Sequence, residues 1–389
     1  MWQELTPVGR SAVTGGYRRY AWTATDQQLR EWFAAEAGRR GLGLTRDRAG
    51  NQWAWWGDPT GGPAVVLGSH LDSVPDGGAF DGPLGVVSAF AALDVLVEKG
   101  YTPSRPVAVV NFGDEEGARF GIACAGSRLL TGALDADRAR GLTDAEGTSM
   151  AEAMGRAGLD PAGVGADPES LGRIGCFLEL HVEQGRGLAE LGQPIAIGSA
   201  IWPHGRWRIG LTGQANHAGT TRLADRNDPM LACARLVLAA RAAAERHDSV
   251  ATVGKLSVMP NGVNAIPSQV TAWLDARGPA SVGVRRLVAE LTAAAEAEGG
   301  SLTEESWTEQ TPFDTGLIGR LRGLLPDAPV LATGAGHDAG ILANAGIPTG
   351  MLFVRNPTGV SHSPAEHAEL ADCHQGVRAL SRVLAELAA

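Results

Sequence analysis

VVLGSHLDSVPDGGAFDGPLG, residues Val65 to Gly85, decides how the chain is read. The apolar run Val65, Val66 and Leu67 predicts a buried parallel strand. At its end the sequence turns to His70, Asp72 and Asp81 among five glycines (Gly68, Gly77, Gly78, Gly82 and Gly85). The carboxyl end of a strand is where an open α/β sheet gathers its ligands. Glycines let the following loop fold back, so that a histidine and a carboxylate eleven residues apart can meet. The stretch reads as half of a metal site; taken alone it is equally a polar loop whose histidine and aspartates cap turns.

Three later stretches repeat the pattern. Val107 to Phe112 reads as another buried strand and delivers GDEEG, with Asp114, Glu115 and Glu116 at its end. Adjacent carboxylates repel one another unless a cation or protons neutralise them. A charge run is usually a solvated loop, but a strand end followed by Gly117 and small residues makes poor surface and a good cavity. CFLELHVEQG sets Phe177, Leu178 and Leu180 in a strand, with Glu179, His181, Glu183 and Gln184 as polar groups at its end, and GVSHSPAEH brings His362 to one more loop. One such histidine would be an ordinary hydrogen-bonded core residue; three strand ends of this kind in one sheet are harder to dismiss.

At 389 residues the chain exceeds what one core usually serves, which predicts two domains. Its 44% hydrophobic and 20% charged residues are those of a globular protein, and no apolar run is long enough to span a bilayer. MWQELTPVGRSAVTGG lacks a signal peptide's apolar core, so a cytoplasmic location is expected. Cys124, Cys176, Cys233 and Cys373 are scattered without CxxC pairs, which predicts reduced thiols and no thiolate ligand. A net charge of −10 without a basic tract argues against a nucleic-acid partner.

The first helix is expected to open at Thr25, where TDQQ has a capping-box pattern, and to end at Gly41 to Gly43. NQWAWWGD predicts a strand, Pro83 to Lys99 a helix, and Thr131 to Leu171 short helices and connections. From Gly205 the texture changes. RWRIGLTG, VATVGKLSV, VTAWLDAR and SLTEESWT alternate as strands, and Arg226 to Arg246 and Val282 to Glu298 read as helices. The order β-α-β-β-α-β predicts an antiparallel sheet with two helices on one face. The fold class is therefore α/β, with residues 1–204 and 316–389 forming a mixed-sheet domain that carries the strand-end groups and residues 205–315 an inserted α+β domain.

The strand-end groups are His70, Asp81, Glu115, Glu116, His181 and His362. Imidazoles and carboxylates without thiolates suit Zn2+, Mn2+ or Co2+, and there are enough ligands for two ions sharing a carboxylate. Such a pair can hold a hydroxide and polarise a carbonyl, which is a hydrolase's apparatus. Glu115 is the candidate general base, since Glu116 can hold metal while Glu115 faces the substrate. Asp72, two residues from His70, is placed to orient that imidazole.

GSHLDSVPDGGAFDG, GDEEG, ELHVEQG, GQANHAGTT, PNGVNAIPSQVTAWLDAR, GAGHDAG and GVSHSPAEH, in this order from about residue 65 to 367, resemble the dinuclear metallohydrolases. These include N-carbamoyl-L-amino acid amidohydrolases, allantoate amidohydrolases and β-ureidopropionases, relatives of the aminoacylases. The resemblance implies a metallopeptidase-like catalytic domain in which His70, Asp81 and His181 hold one metal and Asp81, Glu116 and His362 the other. It makes Glu115 the base, and assigns substrate contacts to Gln184, His217, Asn264, Arg277 and Gly359. His217 would reach the partner subunit's active site, and Arg277 would pair with the substrate α-carboxylate. The inserted domain would be both lid and dimerisation surface of a homodimer acting on a small ureido or acyl amino acid.

Two departures from the family pattern bear on the substrate. Arg222 follows GTT where proline is common, and Arg355-Asn356 stands where a proline-serine pair is common. Extra cations would suit an N-carbamoyl or N-formyl dicarboxylic amino acid such as N-formyl-L-glutamate; alternatively, both arginines pair with surface acids. A metal-binding scaffold without chemistry, and a dipeptidase or aminoacylase, are the competing classes. The full set of ligands, base and lid histidine argues against the first.

Overall fold

Ala64–His70 is buried at every position, as its apolar run predicts. The computed structural model describes residues 1–389, and in it this strand pairs in parallel with Val107–Phe112 on one side and Ile174–Val182 on the other. Thr349–Val354 joins Ile174–Val182, again in parallel. Four strands running the same way place the ends that carry His70, Phe112 and Val182 at one edge. Register fixes the neighbours: His70 lies opposite Phe112, and His181 opposite Phe353. Antiparallel pairing with Gln52–Trp56 and Ile195–Ile201 extends this parallel centre on either side, and the sheet has nine strands in all.

Helix Pro83–Glu98 follows directly from the loop that carries Asp81, with Pro83 in its first turn, where a missing N–H costs nothing. It packs on the His70 strand and on the last long helix, Leu370–Leu387. Phe90, fully buried on it, meets Trp32 and Phe33 of helix Ala24–Arg39 at ring-centroid distances of 6.3 and 5.2 Å. One apolar cluster joins these helices to Val65, Leu67, Val107, Val109, Leu178 and Leu180 of the central strands.

A four-residue helix, Trp2–Leu5, precedes the helix expected at Thr25, and that helix, Ala24–Arg39, departs from its expected start. Thr23, not Thr25, is its cap: extended backbone at Thr23 lets its hydroxyl accept the Asp26 N–H. Asp26 in turn spends its carboxylate on the Trp22 N–H and on Arg30, which anchors this earlier turn in the core. Helix Pro229–Arg246 likewise starts three residues later than expected. Asp228 caps it and Pro229 takes the first position, leaving Arg226 extended.

The chain divides into two compact units, Met1–Ser199 with Pro312–Ala389, and Ala200–Thr311. The divisions lie a few residues ahead of residues 205 and 315, because alternation marks the strands and not the connections leading into them. Within the second unit, Ser301–Thr308, His204–Thr212, Gln269–Arg277 and Val250–Met259 form an antiparallel sheet in that order. Alternate residues of its central strands turn inward, and helices Pro229–Arg246 and Ser281–Ala297 cover Trp207, Leu274 and Ala276. No helix is long and apolar enough to cross a membrane.

Because the fully buried Phe90 joins its own helix to helix Ala24–Arg39 in one core, Phe90→Ala should lower the unfolding free energy of the first unit by about 3–5 kcal/mol. Urea unfolding followed by tryptophan fluorescence measures it; a loss below about 1 kcal/mol would contradict this packing.

Candidate metal centre

His70 ends its strand, His181 stands one residue before the end of the neighbouring strand, and both side chains are 1% exposed. Asp81 returns to them through the glycine-rich loop. Gly82, which follows, has φ +82° and lies against the His70 ring, where a Cβ would collide with the imidazole. Glu115 and Glu116 lie just beyond Val107–Phe112, and His362 comes from the loop after Thr349–Val354. Asp114, Cys124 and His362 all have left-handed backbone, the kind of local strain that persists where surrounding structure over-determines it.

Asp81 is the meeting point. One carboxylate oxygen, Oδ1, is 3.2 Å from His181 Nε2 and 3.5 Å from His70 Nε2; the other, Oδ2, is 3.4 Å from His362 Nε2. Glu116 lies 3.5 Å from the same His362 nitrogen. Two triads result, His70/Asp81/His181 and Asp81/Glu116/His362, with the ligand atoms of each within 4.8 Å of one another.

The donor set fits cations. His70 and His181 each spend Nδ1 on a backbone carbonyl, of Asp72 and of Val182, which turns Nε2 toward Asp81. His181 Nε2 also accepts the Gly82 N–H, so two acceptors, this nitrogen and Asp81 Oδ1, face each other across 3.2 Å. His70 Nε2 is buried without a hydrogen bond. Such an arrangement calls for positive charge between its atoms. A third group, Glu179/His181/His337, is different: Ser69 and the Ala339 N–H already satisfy both Glu179 oxygens.

Around the triads, Asp72 accepts the backbone N–H groups of Glu115 and Glu116 at 3.1 and 3.0 Å, while its Oδ1 is 3.4 Å from His70 Nδ1. It therefore holds the GDEEG loop as well as facing the imidazole. Glu115 belongs to neither triad; its Oε2 is 3.8 Å from His70 Nε2, and the Cys124 thiol donates to its Oε1. Gln184 donates to Asp81 Oδ2 at 2.7 Å and to Ser361.

Burial raises Glu115 well above the usual carboxylate range, against the pull of His70, and Asp338 and Glu116 raise it further. Burial and Asp81 bring Glu116 to about 7. The hydrogen bond to Asp81 lifts His362 to about 9. Burial opposes ionisation of Asp81, but His181, His362 and His70 outweigh it and hold Asp81 well below its ordinary value. Burial leaves His337, whose ring centroid is 4.5 Å from that of His181, well below the ordinary imidazole range.

The remaining expected contacts fall into two groups. In the second unit, His217 and Asn264 adjoin: Ala265 pairs with His217, and the Asn264 carbonyl accepts the Ala218 N–H. His217 Nδ1 accepts the N–H groups of Gly219 and Thr220, which assigns its proton to Nε2. Arg277 is held by both oxygens of Asp275, and Arg222 by both oxygens of Asp225. In the first unit, Arg355 pairs with Asp372, and Gly359 packs against the stem of Arg186. Four neighbours of the triads have no role that the sequence assigned: Cys124, His337, Ser361 and Glu366. The last two stand inside GVSHSPAEH, but nothing in local spacing says what they touch. All four cysteines are free and buried.

The pattern described as Peptidase family M20/M25/M40 matches residues 66–386. The chain is 37% identical over 403 residues to the N-carbamoyl-L-amino acid amidohydrolase of Geobacillus stearothermophilus, covering 100% of this chain and 98% of that protein. It is 33% identical over 380 residues to the allantoate amidohydrolase of Escherichia coli K12, covering 94% and 91%. The crystal structure of an amidase of the hydantoinase/carbamoylase family from Burkholderia vietnamiensis superposes with a TM-score of 0.89 at 29% identity, covering 100% of this chain and 95% of that one.

Asp81 stands in both triads, whereas Asp76, in the same loop, is tied to Thr14 and Arg18 at the surface. Asp81→Asn should weaken metal uptake by more than the roughly 10- to 100-fold typical of an outer-shell change, and Asp76→Asn should leave it unaltered. Metal content after dialysis against buffered Zn2+ or Mn2+ checks both; full occupancy in Asp81→Asn would contradict the shared-carboxylate geometry.

Proposed function

The chain belongs to the peptidase family M20/M25/M40 and is a hydrolase of non-peptide carbon–nitrogen bonds, and on that premise we propose that it cleaves an N-carbamoyl or N-formyl amino acid, or allantoate, at a centre of two divalent ions. The observation that carries this reading is the division of Asp81 between two triads beside a glutamate that belongs to neither. Bound Zn2+, Mn2+ or Co2+ would supply an activated water and polarise the scissile carbonyl.

In this reading the chain's own residues do the rest. Glu115 takes a proton from the attacking water and returns it to the leaving nitrogen. Its enclosure keeps its proton affinity high, which suits a group that must both accept and give. Asp72 fixes its backbone, and the Cys124 thiol holds Oε1. Gln184 and Gly359 line the acyl or ureido end. From the inserted unit, His217 presents its Nε2–H to the oxygen that gains charge at the partner subunit's centre, Asn264 supports the substrate, and Arg277, held by Asp275, receives the α-carboxylate. This arrangement requires a homodimer formed through the inserted unit.

A second reading, an acidic side chain on the substrate, is favoured by one observation. Arg186, two residues after Gln184 and packed along Gly359, is exposed and has no ion pair. Arg222 and Arg355, the two cations expected from the sequence to do this, are instead engaged by Asp225 and Asp372.

Protein reconstituted with each metal should turn over N-carbamoyl or N-formyl amino acids or allantoate in preference to dipeptides and N-acetyl amino acids, as followed by ammonia, formate and amine release. The opposite preference would overturn the assignment. Glu115→Gln should lower kcat by about 10²- to 10⁴-fold at unchanged metal content. For the acidic substrate, Arg186→Ala should raise KM for N-formyl-L-glutamate roughly tenfold relative to a neutral analogue. Alanine variants at Arg222 and Arg355 run beside it show which arginine carries the preference, and an unchanged ratio in all three would remove it.

A further inference from the structure

Glu366 lies 285 residues from Asp81 in sequence, yet it is 5% exposed and its Oε1 accepts the N–H groups of both Phe80 and Asp81, at 2.8 and 2.9 Å. Its other oxygen, Oε2, is 3.4 Å from the Ser361 hydroxyl, which is also 3.4 Å from Asp81 Oδ2 and accepts from Gln184 at 3.2 Å. Ser361 adjoins His362. A ring of contacts thus closes from Glu366 through the Asp81 backbone and carboxylate to Ser361 and back. Room for it comes from Gly78, where any Cβ would run into the Glu366 side chain. His367 packs edge-on against Phe80 at 6.0 Å and holds the same two segments together.

We propose that Glu366 is a positioning residue that builds the second metal position, by fastening the loop of the bridging Asp81 to the loop of His362. The inference rests on the dinuclear reading above and deepens it. The two triads differ in how their ligands are held. His70 and His181 sit on buried parallel strands and keep their places through the sheet. His362 is half exposed, in left-handed backbone, and on no strand or helix. Its distance to Asp81 is therefore set by what joins the two loops, and Glu366 is the buried side chain that touches both. A carboxylate is suited to this place because one oxygen can take two adjacent peptide N–H groups while the other faces a hydroxyl.

The consequence is selective. Without Glu366, Asp81 still faces His70 and His181, but its backbone loses its tie to the His362 loop, which leaves only the Gln184 and Ser361 contacts to its carboxylate. Calorimetric titration of the metal-free chain with Zn2+ or Mn2+, together with metal content after dialysis, reads this without recourse to activity. Wild type is expected to take up two ions. Glu366→Ala should bind the second about 10- to 100-fold more weakly and the first as in wild type. Glu366→Gln, which keeps a carbonyl acceptor for the two N–H groups, should recover most of the loss, and Ser361→Ala should weaken the second ion in the same direction. Thermal unfolding of the metal-free variants establishes that they are folded. A wild-type chain that takes up one ion fails the dinuclear reading and this proposal with it. A wild type with two ions whose Glu366→Ala variant binds both unchanged, or loses both alike, overturns the proposal alone.

Discussion

One carboxylate facing three imidazoles in two triads is the interaction on which the rest of this chain depends. Asp81 is almost wholly buried and is approached by three histidine nitrogens from three separate segments. Around it lie the carboxyl groups of Asp72, Glu115 and Glu116, and burial raises the proton affinity of both glutamates, because crowded carboxylates shielded from water resist ionisation. In water such groups would avoid one another. Here they are locked by backbone N–H donors and by imidazoles whose outer nitrogens are already committed, and the cost of holding them is what makes the centre receptive to cations.

The sheet makes that arrangement possible through direction and register. Parallel strands bring the ends of Ala64–His70, Val107–Phe112 and Ile174–Val182 to one edge, so imidazoles and carboxyl groups far apart in sequence emerge side by side. Helix Pro83–Glu98 pins the return of the Asp81 loop, with Gly82 as the residue small enough to lie on the His70 ring. The first triad thus inherits the rigidity of the core. The second borrows its order from side chains that join loops, and this division of support is a consequence of topology rather than of residue type.

A second buried polar layer lies beneath the triads. Glu179 is bonded by Ser69 and the Ala339 N–H, Asp338 by Ser127, and His337 packs against His181. These residues anchor the GAGHDAG segment to the strands that carry His70 and His181. Their polar groups sit where an apolar core would be simpler to build, and they tie the position of helix Asp338–Asn344 to that of the triads.

Much of this was legible in order along the chain. Apolar runs ending in histidine or carboxylate marked the parallel strands and most of the groups that meet at their ends, because burial on both faces leaves an unbroken hydrophobic signal. Alternation marked the inserted sheet for the complementary reason. Helix starts were read less well: Thr23 and Thr25 offer equivalent hydroxyls, and only the burial of Asp26 with Arg30 selects Thr23. The sequence by itself determined which chemical groups are available and that they stand at strand ends, since both follow from local composition. Only the tertiary structure decided that Asp81 divides its oxygens between two triads, that Asp72 holds the Glu115 loop, and that Glu366 closes on the Asp81 backbone. Those contacts join residues tens to hundreds of positions apart, and no local pattern encodes a distance that exists only after the strands have paired.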